Sequence, residues 1–239
     1  PGSPDQVDLV VNVTEKPTGS LQLGAGFSSA EKVALSFGIK QENFFGSGNY
    51  LGIDVNTSKY RRTLVFSTTN PYFTQDGISR TVDLYYRTDK PYEDQGGNYE
   101  LVTTGASMRF GIPFSETDTV FFGGGFEQTQ IKAGTNIPAT YLAYANTYGA
   151  TSNSIPLTVG WSRDDRDSAL APNSGRYQRL NSEWSVAGDA RYVRGNYQYQ
   201  QYIPLNKRFT VAFNGELGYG KGLNGRPFPV FKNFYSGGL

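Results

Sequence analysis

The chain has 239 residues, of which 18% are charged, and its formal net charge is +1. It contains no Cys and no His, which excludes disulfide bonds and Cys-ligated zinc and removes the commonest general base and metal ligand. The near-neutral balance gives no general attraction to nucleic acid. We therefore expect a protein that is not an enzyme, uses no cofactor and has no nucleic-acid partner.

Hydropathy excludes a helical membrane protein but not a β-barrel. The mean hydropathy is −0.48, and no apolar run approaches the roughly 20 residues of a membrane-spanning helix. A transmembrane β-barrel is compatible with this value, because its lumen-facing residues are polar and lower the average. The 17 Tyr and 16 Phe residues are the types that membrane interfaces favour.

The first residues are expected to end a preceding domain. Residues 7–13 (Val-Asp-Leu-Val-Val-Asn-Val) have the pattern of a strand, and Pro17 with the charges before it ends that strand. We interpret residues 1–17 as the last strand of a soluble domain and a linker, and residues 18–239 as a second unit. Residues 1–4 lack the regions of a signal peptide, so any export signal is expected upstream or already removed.

A period of two begins after this linker and continues through most of the chain. Leu21, Leu23 and Phe27 alternate with small or polar residues in a short strand that Gly24 and Gly26 weaken. Ten further segments alternate in the same way: 33–40, 51–56, 62–69, 78–88, 99–112, 118–132, 155–163, 176–187, 190–203 and 208–220. The pattern therefore predicts eleven strands and an all-β fold.

Two regions are not predicted as strands. Tyr141, Tyr144 and Tyr148 have helical spacing, so the long connection at residues 133–154 is expected to contain one short helix. Residues 221–239 are rich in Gly, Pro and aromatic residues, and we interpret them as a loop. The longest connection lies at one end of the strands and mostly short turns lie at the other, which is typical of outer-membrane barrels.

Aromatic residues concentrate in the turns at the end opposite the long connection. An ordinary soluble hairpin favours Asn-Gly or Asp-Gly with polar neighbours, whereas aromatic residues at strand ends are typical of a membrane interface. The fold class predicted from these features is a transmembrane antiparallel β-barrel. Its expected aromatic girdle consists of Phe44, Phe45, Tyr50, Tyr72 and Phe73.

Charged residues fall on the polar face of their strands. A soluble antiparallel sheet with one solvated face is the alternative explanation. We favour a water-filled barrel lumen, because the opposite face is rich in aromatic residues in strand after strand, whereas a soluble sandwich usually has seven to nine strands. The expected lumen charges are Lys40, Asp54, Asp83, Arg87, Arg109, Glu127, Arg179, Glu183, Arg194 and Glu216.

Two motifs that could indicate chemistry have simpler explanations. Residues 220–225 match G-x-G-x-x-G, but Pro227 and Pro229 prevent the helix that a dinucleotide site requires. Asp164, Asp165 and Asp167 lack the Gly and the distal Glu of a calcium-binding loop. We interpret the first as a flexible loop and the second as a solvated turn, and no metal site is expected.

Several longer motifs resemble the BamA family of outer-membrane protein assembly factors. These motifs are Gln-Glu-Asn-Phe-Phe-Gly-Ser-Gly at 41–48, Asn-Pro-Tyr-Phe-Thr at 70–74, Pro-Asn-Ser-Gly-Arg at 172–176, Gly-Tyr-Gly at 218–220 and Phe-Lys-Asn-Phe-Tyr-Ser-Gly-Gly at 231–238. The resemblance covers essentially the whole chain. It implies periplasmic POTRA domains followed by a sixteen-stranded barrel, with residues 1–17 ending the last POTRA domain.

The resemblance also implies a function in the bacterial outer membrane. Members of this family insert β-barrel proteins without an enzymatic step, by templating strands at a lateral gate. The implied partners are unfolded outer-membrane protein substrates, periplasmic lipoprotein subunits and outer-membrane lipid. The implied gate strand consists of Gly19, Ser20, Leu21, Gln22, Leu23, Gly24, Ala25, Gly26 and Phe27, and the resemblance places the aromatic girdle on the periplasmic side.

The chain is expected to be a fragment of such a protein. The family's Val-Arg-Gly-Phe motif, whose Arg anchors the sixth extracellular loop in the lumen, is absent, and so are five further strands. An odd number of strands also does not fit the even number of bacterial barrels. Three alternatives remain open: a related autotransporter-assembly or two-partner secretion transporter, a passive porin and a soluble β-sandwich.

Overall fold

A computed structural model describes residues 17–28, 32–90, 98–206 and 208–234. The strand expected at residues 7–13 lies outside these residues. Within them, eleven strands form one antiparallel sheet in which each strand pairs with its neighbours in the sequence. The predicted all-β fold and the predicted number of strands are therefore confirmed.

The strands have 8 to 16 residues. They are β1 Gly19–Ser28, β2 Lys32–Gln41, β3 Tyr50–Thr57, β4 Arg61–Asn70, β5 Ser79–Asp89, β6 Tyr99–Pro113, β7 Asp118–Ala133, β8 Thr151–Asp164, β9 Gly175–Gly188, β10 Tyr192–Pro204 and β11 Thr210–Gly222. Short 3₁₀ turns lie at Phe44–Gly46 and Val230–Lys232. Because hairpins connect the strands in order, the turns after β2, β4, β6, β8 and β10 lie at one end of the sheet.

The sequence places the start of β8 four residues too late. β8 begins at Thr151 rather than Ile155. Ser152 and Ser154 are buried on one face and pair with residues of β7, so the strand begins with polar side chains on its inner positions. Hydrophobic alternation does not detect such a start, because neither face is apolar there.

The ladders separate the sheet into two faces. Directly opposed residues share a face, and Phe37, Val55 and Leu64 follow one another across β2, β3 and β4. This face, called here the apolar face, exposes large hydrophobic side chains on every described strand except β3, where Leu51, Ile53 and Val55 are half-buried. A soluble domain seldom exposes so much apolar surface.

The small buried core lies at the end of the sheet with the longest connection. The predicted helix is confirmed as α1, Ala139–Tyr148, which follows Pro138 and ends before Gly149 at a φ of 94°. Its Tyr141 and Tyr144 are 5% and 6% exposed and pack with Ile131 of β7. None of the described helices is long and apolar enough to cross a membrane.

On the face opposite the apolar one, Gly105 of β6 leaves room for a tyrosine side chain to extend across the strand. Tyr85 of β5, Gly105 and Glu127 of β7 are directly opposed across three strands. A Cβ added at Gly105 would lie 2.4 Å from the Tyr85 ring, whose hydroxyl donates to Glu127 Oε2 at 2.9 Å. The missing side chain therefore provides the space for a hydrogen bond between β5 and β7.

Gly105→Ala should lower the free energy of unfolding by about 1–3 kcal/mol, because the added methyl group displaces the Tyr85 ring. The measurement is urea unfolding of the protein refolded in detergent, followed by tryptophan fluorescence. Gly195→Ala is the control, since its Cβ would have only an ordinary contact at 3.7 Å. Equal destabilisation by the two variants would contradict the proposed packing.

Candidate functional site

The first strand, β1, forms one edge of the described sheet. It pairs with β2 over all ten of its residues, from Gly19 opposite Gln41 to Ser28 opposite Lys32. No described strand pairs with its other side. Every residue of β1 is exposed. The backbone N–H and C=O groups along that side are therefore able to pair with a further strand.

The expectation that β1 is a short strand is wrong. β1 has ten residues, as many as β2 and β4. Its exposure distinguishes it instead: Leu23 and Phe27 are 75% and 77% exposed, and a Cβ added at Gly26 would have nothing within 4 Å. The nine residues predicted for the gate strand all lie in β1, at Gly19, Ser20, Leu21, Gln22, Leu23, Gly24, Ala25, Gly26 and Phe27.

The turn after β2 holds an aromatic ring outside the sheet. Phe45 has φ 50° and ψ 32°, in the left-handed region that favours Gly, and it is 92% exposed. Asn43 Oδ1 accepts the Gly48 N–H at 2.7 Å, and the Ser47 hydroxyl donates to the Phe44 carbonyl at 2.5 Å. Local hydrogen bonds thus stabilise an unfavourable backbone conformation that exposes Phe45.

The turn after β4 contributes further aromatic surface at the same end of the sheet. Tyr72 is exposed, while the Phe73 ring lies 5.7 Å from the Phe110 ring and 4.4 Å from the Arg80 guanidinium. The sequence reading missed Phe114, Leu205 and Phe209, which are exposed in the turns after β6 and β10. Phe114 and Leu205 directly follow β6 and β10, and Phe209 directly precedes β11, so their positions next to strand ends could have indicated them.

Tyr50 differs from the other predicted girdle residues. The period of two places it on the opposite face from Leu51, together with Gly52. A Cβ added at Gly52 would lie 2.5 Å from the Tyr50 hydroxyl. The Tyr50 side chain therefore lies over Gly52 instead of beside the exposed rings of Phe44 and Phe45.

All ten predicted charges share the face opposite the apolar one, called here the polar face. The ladders from β1 to β11 give this result without exception. The charges are Lys40, Asp54, Asp83, Arg87, Arg109, Glu127, Arg179, Glu183, Arg194 and Glu216. That they line a lumen stays a prediction.

Only some of these charges come together. Arg109, Arg179, Glu183 and Arg194 line one cavity of about 350 Å³ on the polar face. Asp83 instead accepts a hydrogen bond from Ser67 at 2.6 Å, within the β4–β5 pair. Lys40 and Asp54 lie at the opposite side of the sheet, on β2 and β3 beside the gate strand, and Glu216 lies on β11.

A buried lysine that was not predicted as a site residue forms ion pairs with two of the predicted carboxylates. Lys232 Nζ lies 2.8 Å from Glu127 Oε1 and 3.0 Å from Glu183 Oε1. The side chains of Lys232 and Glu127 are 12% and 11% exposed. Burial disfavours the ammonium, but the two carboxylates outweigh this effect and raise the pKa of Lys232, which therefore remains charged.

Two tyrosine hydroxyls complete this cluster. Tyr85 donates to Glu127, and Tyr192, which is fully buried, donates to Glu183 Oε1. The Lys232 ammonium also lies 5.5 Å from the centre of the Tyr192 ring. The cluster therefore connects β5, β7, β9 and β10 to the chain that follows β11.

The chain after β11, residues 223–234, folds back onto the polar face; we call it the return segment. It packs on β11 where side chains are missing: a Cβ at Gly220 would lie 2.5 Å from the Phe228 ring, and one at Gly218 would lie 2.8 Å from the Phe234 ring. The flexible loop predicted for residues 220–225 is wrong in part, because residues 220–222 belong to β11. Alternating Gly residues in a strand indicate such a close approach.

The acidic turn between β8 and β9 satisfies its carboxylates internally. Asp164 pairs with Arg166 at 2.7 Å, and Asp165 pairs with Arg176 at 3.0 Å. Among the residues that the structure describes, no group of three or more acidic, His or Cys side chains could hold a metal ion. These distances are those of ion pairs within a turn.

Asp167 closes the same turn by accepting backbone hydrogen bonds. Its Oδ1 accepts the N–H of Ser174 at 3.1 Å and that of Asn173 at 2.8 Å. These donors lower the pKa of the Asp167 carboxyl. The stabilisation is therefore present at neutral pH and is lost as the pH falls through the lowered pKa.

Residues 43–239 match the Omp85 superfamily domain. The outer membrane protein assembly factor BamA of Neisseria meningitidis serogroup B is 34% identical over 250 residues, which cover 100% of this chain and 31% of that protein. BamA of Nitratidesulfovibrio vulgaris is 28% identical, over 98% of this chain and 29% of its own length. The chain thus spans about a third of the length of these relatives.

The fold has a close match among solved structures. The crystal structure of BamA from Haemophilus ducreyi lacking POTRA domains 1–3 superposes with a TM-score of 0.83 at 24% identity. The match covers 94% of this chain and 45% of that one. At this identity the likeness concerns the fold alone. It identifies the eleven-stranded sheet as part of a β-barrel.

Gly220→Ala should loosen the return segment, because its methyl group would occupy the position of the Phe228 ring. We expect trypsin to cleave the Lys232–Asn233 bond about tenfold faster, since proteolysis follows local opening. The measurement is the rate of appearance of the fragment by mass spectrometry. Gly215→Ala on the same strand has nothing within 4 Å of its Cβ and should not change the rate. An unchanged cleavage rate in Gly220→Ala would contradict the packing of the return segment on β11 through Phe228.

Proposed function

Because this chain belongs to the Omp85 superfamily, we propose that it forms the first eleven strands of the barrel of an outer-membrane protein assembly factor. The observation that supports this function most directly is the match of the whole chain to an outer membrane protein assembly factor, and β1, an exposed edge strand of the described sheet, is the candidate gate strand. The two relatives that match 98% or more of this chain are both named outer membrane protein assembly factor BamA. We place the protein in the bacterial outer membrane.

The proposed mechanism is templating by backbone hydrogen bonds. A strand of an unfolded substrate pairs with β1, whose edge supplies N–H and C=O groups in register. In lipid each unpaired backbone group costs several kcal/mol, so pairing at this edge strongly favours insertion as a strand. No nucleotide and no covalent step is required, and the function is not enzymatic.

The proposed domain organisation follows the same family membership. Residues 1–17 end the last POTRA domain, and residues 18–239 form the N-terminal part of the barrel and reach its sixth extracellular loop. The apolar face contacts lipid, and the polar face lines the lumen. Unfolded outer-membrane proteins, periplasmic lipoprotein subunits and outer-membrane lipid are the proposed partners.

Cysteine crosslinking tests the gate strand. Since the chain contains no Cys, a single Cys at Leu23 of β1 and a substrate Cys in its terminal strand should form a disulfide in the assembling complex. Leu84→Cys is the matched control, because Leu84 is exposed on the apolar face of β5, which pairs on both sides. The proposal fails if no position from Ser20 to Phe27 crosslinks or if Leu84→Cys crosslinks equally well.

Phe45 tests the proposed periplasmic girdle. Phe45→Gly removes the exposed ring and relieves the positive φ, so stability in detergent should be unchanged or higher. Insertion into lipid vesicles should slow by about fivefold, which corresponds to about 1 kcal/mol of lost interfacial partitioning. Phe45→Trp should insert at the original rate. Equal insertion rates for the Gly and Trp variants would exclude a membrane role for this ring.

A further inference from the structure

The return segment is fixed at three successive points. The Phe228 ring packs on Gly220 and meets the Tyr192 ring edge to face, with ring centres 6.0 Å apart. The Val230 carbonyl accepts a hydrogen bond from the Tyr141 hydroxyl of α1 at 3.2 Å. Lys232 then enters the cluster on the polar face. The segment therefore lies between the helix of the longest connection and the wall of strands.

These contacts differ in their chemistry. The aromatic contacts are apolar and accept many side chains of similar volume. The contact at Lys232 requires a cation, because Glu127 and Glu183 belong to β7 and β9 and both point at the same ammonium. Without a cation, two carboxylates would remain close together in a poorly hydrated site, which is strongly unfavourable.

The surrounding groups do not replace this cation. The charge of Arg194, which lies opposite Glu183 in the β9–β10 ladder, favours the Glu183 carboxylate, but its guanidinium lies 4.4 Å from the centre of the Phe234 ring and no ion pair joins it to both carboxylates among the described residues. Tyr85 and Tyr192 donate hydrogen bonds without adding positive charge. Lys232 is thus the cation that contacts both carboxylates among the described residues.

We propose that Lys232 is a positioning residue that locks the return segment across the polar face through charge, with Glu127 and Glu183 as its two-carboxylate seat. The lock holds the segment and α1 over the polar face of the sheet. The lumen therefore stays covered at the end with the longest connection while the β1 edge is exposed. It is separate from the Val-Arg-Gly-Phe anchor implied by the family resemblance. It does not depend on templating at β1, so the two proposals can fail independently.

A Cys at Pro229 reports on this lock in the full-length protein in lipid. Pro229 is fully buried and has an extended conformation that other residues adopt, so a thiol there should be protected from a charged maleimide. Lys232→Met keeps the length of the side chain but removes the charge, and labelling should accelerate about tenfold or more. Lys232→Arg keeps the charge and should stay within about threefold of the parent.

Two further variants separate charge from packing. Lys221→Met removes a positive charge from the apolar face of β11, and labelling should not change. The triple variant Glu127→Gln, Glu183→Gln, Lys232→Met has no charge left in the seat, and protection should return to near the parent value. A role of Lys232 as packing alone would leave this triple variant as reactive as Lys232→Met.

The outcomes are decisive in either direction. Protection that persists in Lys232→Met overturns the proposal, and so does a triple variant that stays reactive. Where Lys232→Met does not fold, as judged by heat-modifiable mobility on gels, folding of the triple variant supports a charge lock, and its failure to fold contradicts one.

Discussion

Backbone pairing between neighbouring strands is the constraint on which every other feature depends. In a single-layer sheet, each strand gains its partners only from the two strands beside it. Because side chains alternate, a shift of one residue in a single ladder would exchange the faces of all later strands. The ten observed ladders keep Lys40 of β2 and Glu216 of β11 on the same face, nine strands apart. Within the described sheet this pairing stops at two edges, β1 and β11.

On the polar face of the sheet, side chains reach across neighbouring strands. Gly105 allows Tyr85 to reach Glu127, and Gly218 and Gly220 allow the return segment to lie directly on β11. Small and large residues thus complement each other on a face that also contains most of the charge. This arrangement explains how a polar face can bury Tyr192 completely without an apolar core beneath it.

Ion pairs differ in importance according to their burial. Arg61 and Asp89 pair at 2.8 Å, but their side chains are 71% and 34% exposed, and such pairs contribute about 0–1 kcal/mol. Removing one partner of a buried pair costs about 3–5 kcal/mol, because the remaining charge is left without compensation. The Lys232 cluster belongs to the second group, which is why one side chain can hold a whole segment in place.

The sequence by itself determined the strands, their faces and one helix, because local periodicity indicates all three. Tyr141, Tyr144 and Tyr148 revealed α1, and the alternation of Asp83 with Leu84 assigned each to a face before any ladder was known. Periodicity could not show that Tyr50 lies over Gly52, that β8 begins with buried Ser residues or that β1 equals its neighbours in length.

Only the tertiary structure decided which charges meet. Glu127 and Glu183 are 56 residues apart in sequence, and Lys232 lies in a segment without periodicity, so no local pattern relates the three. Their meeting depends on the stagger of β7 against β9 and on the absence of side chains along β11, and both are properties of the folded sheet. Local alternation thus fixed the face of each charge, whereas long-range packing chose its partner.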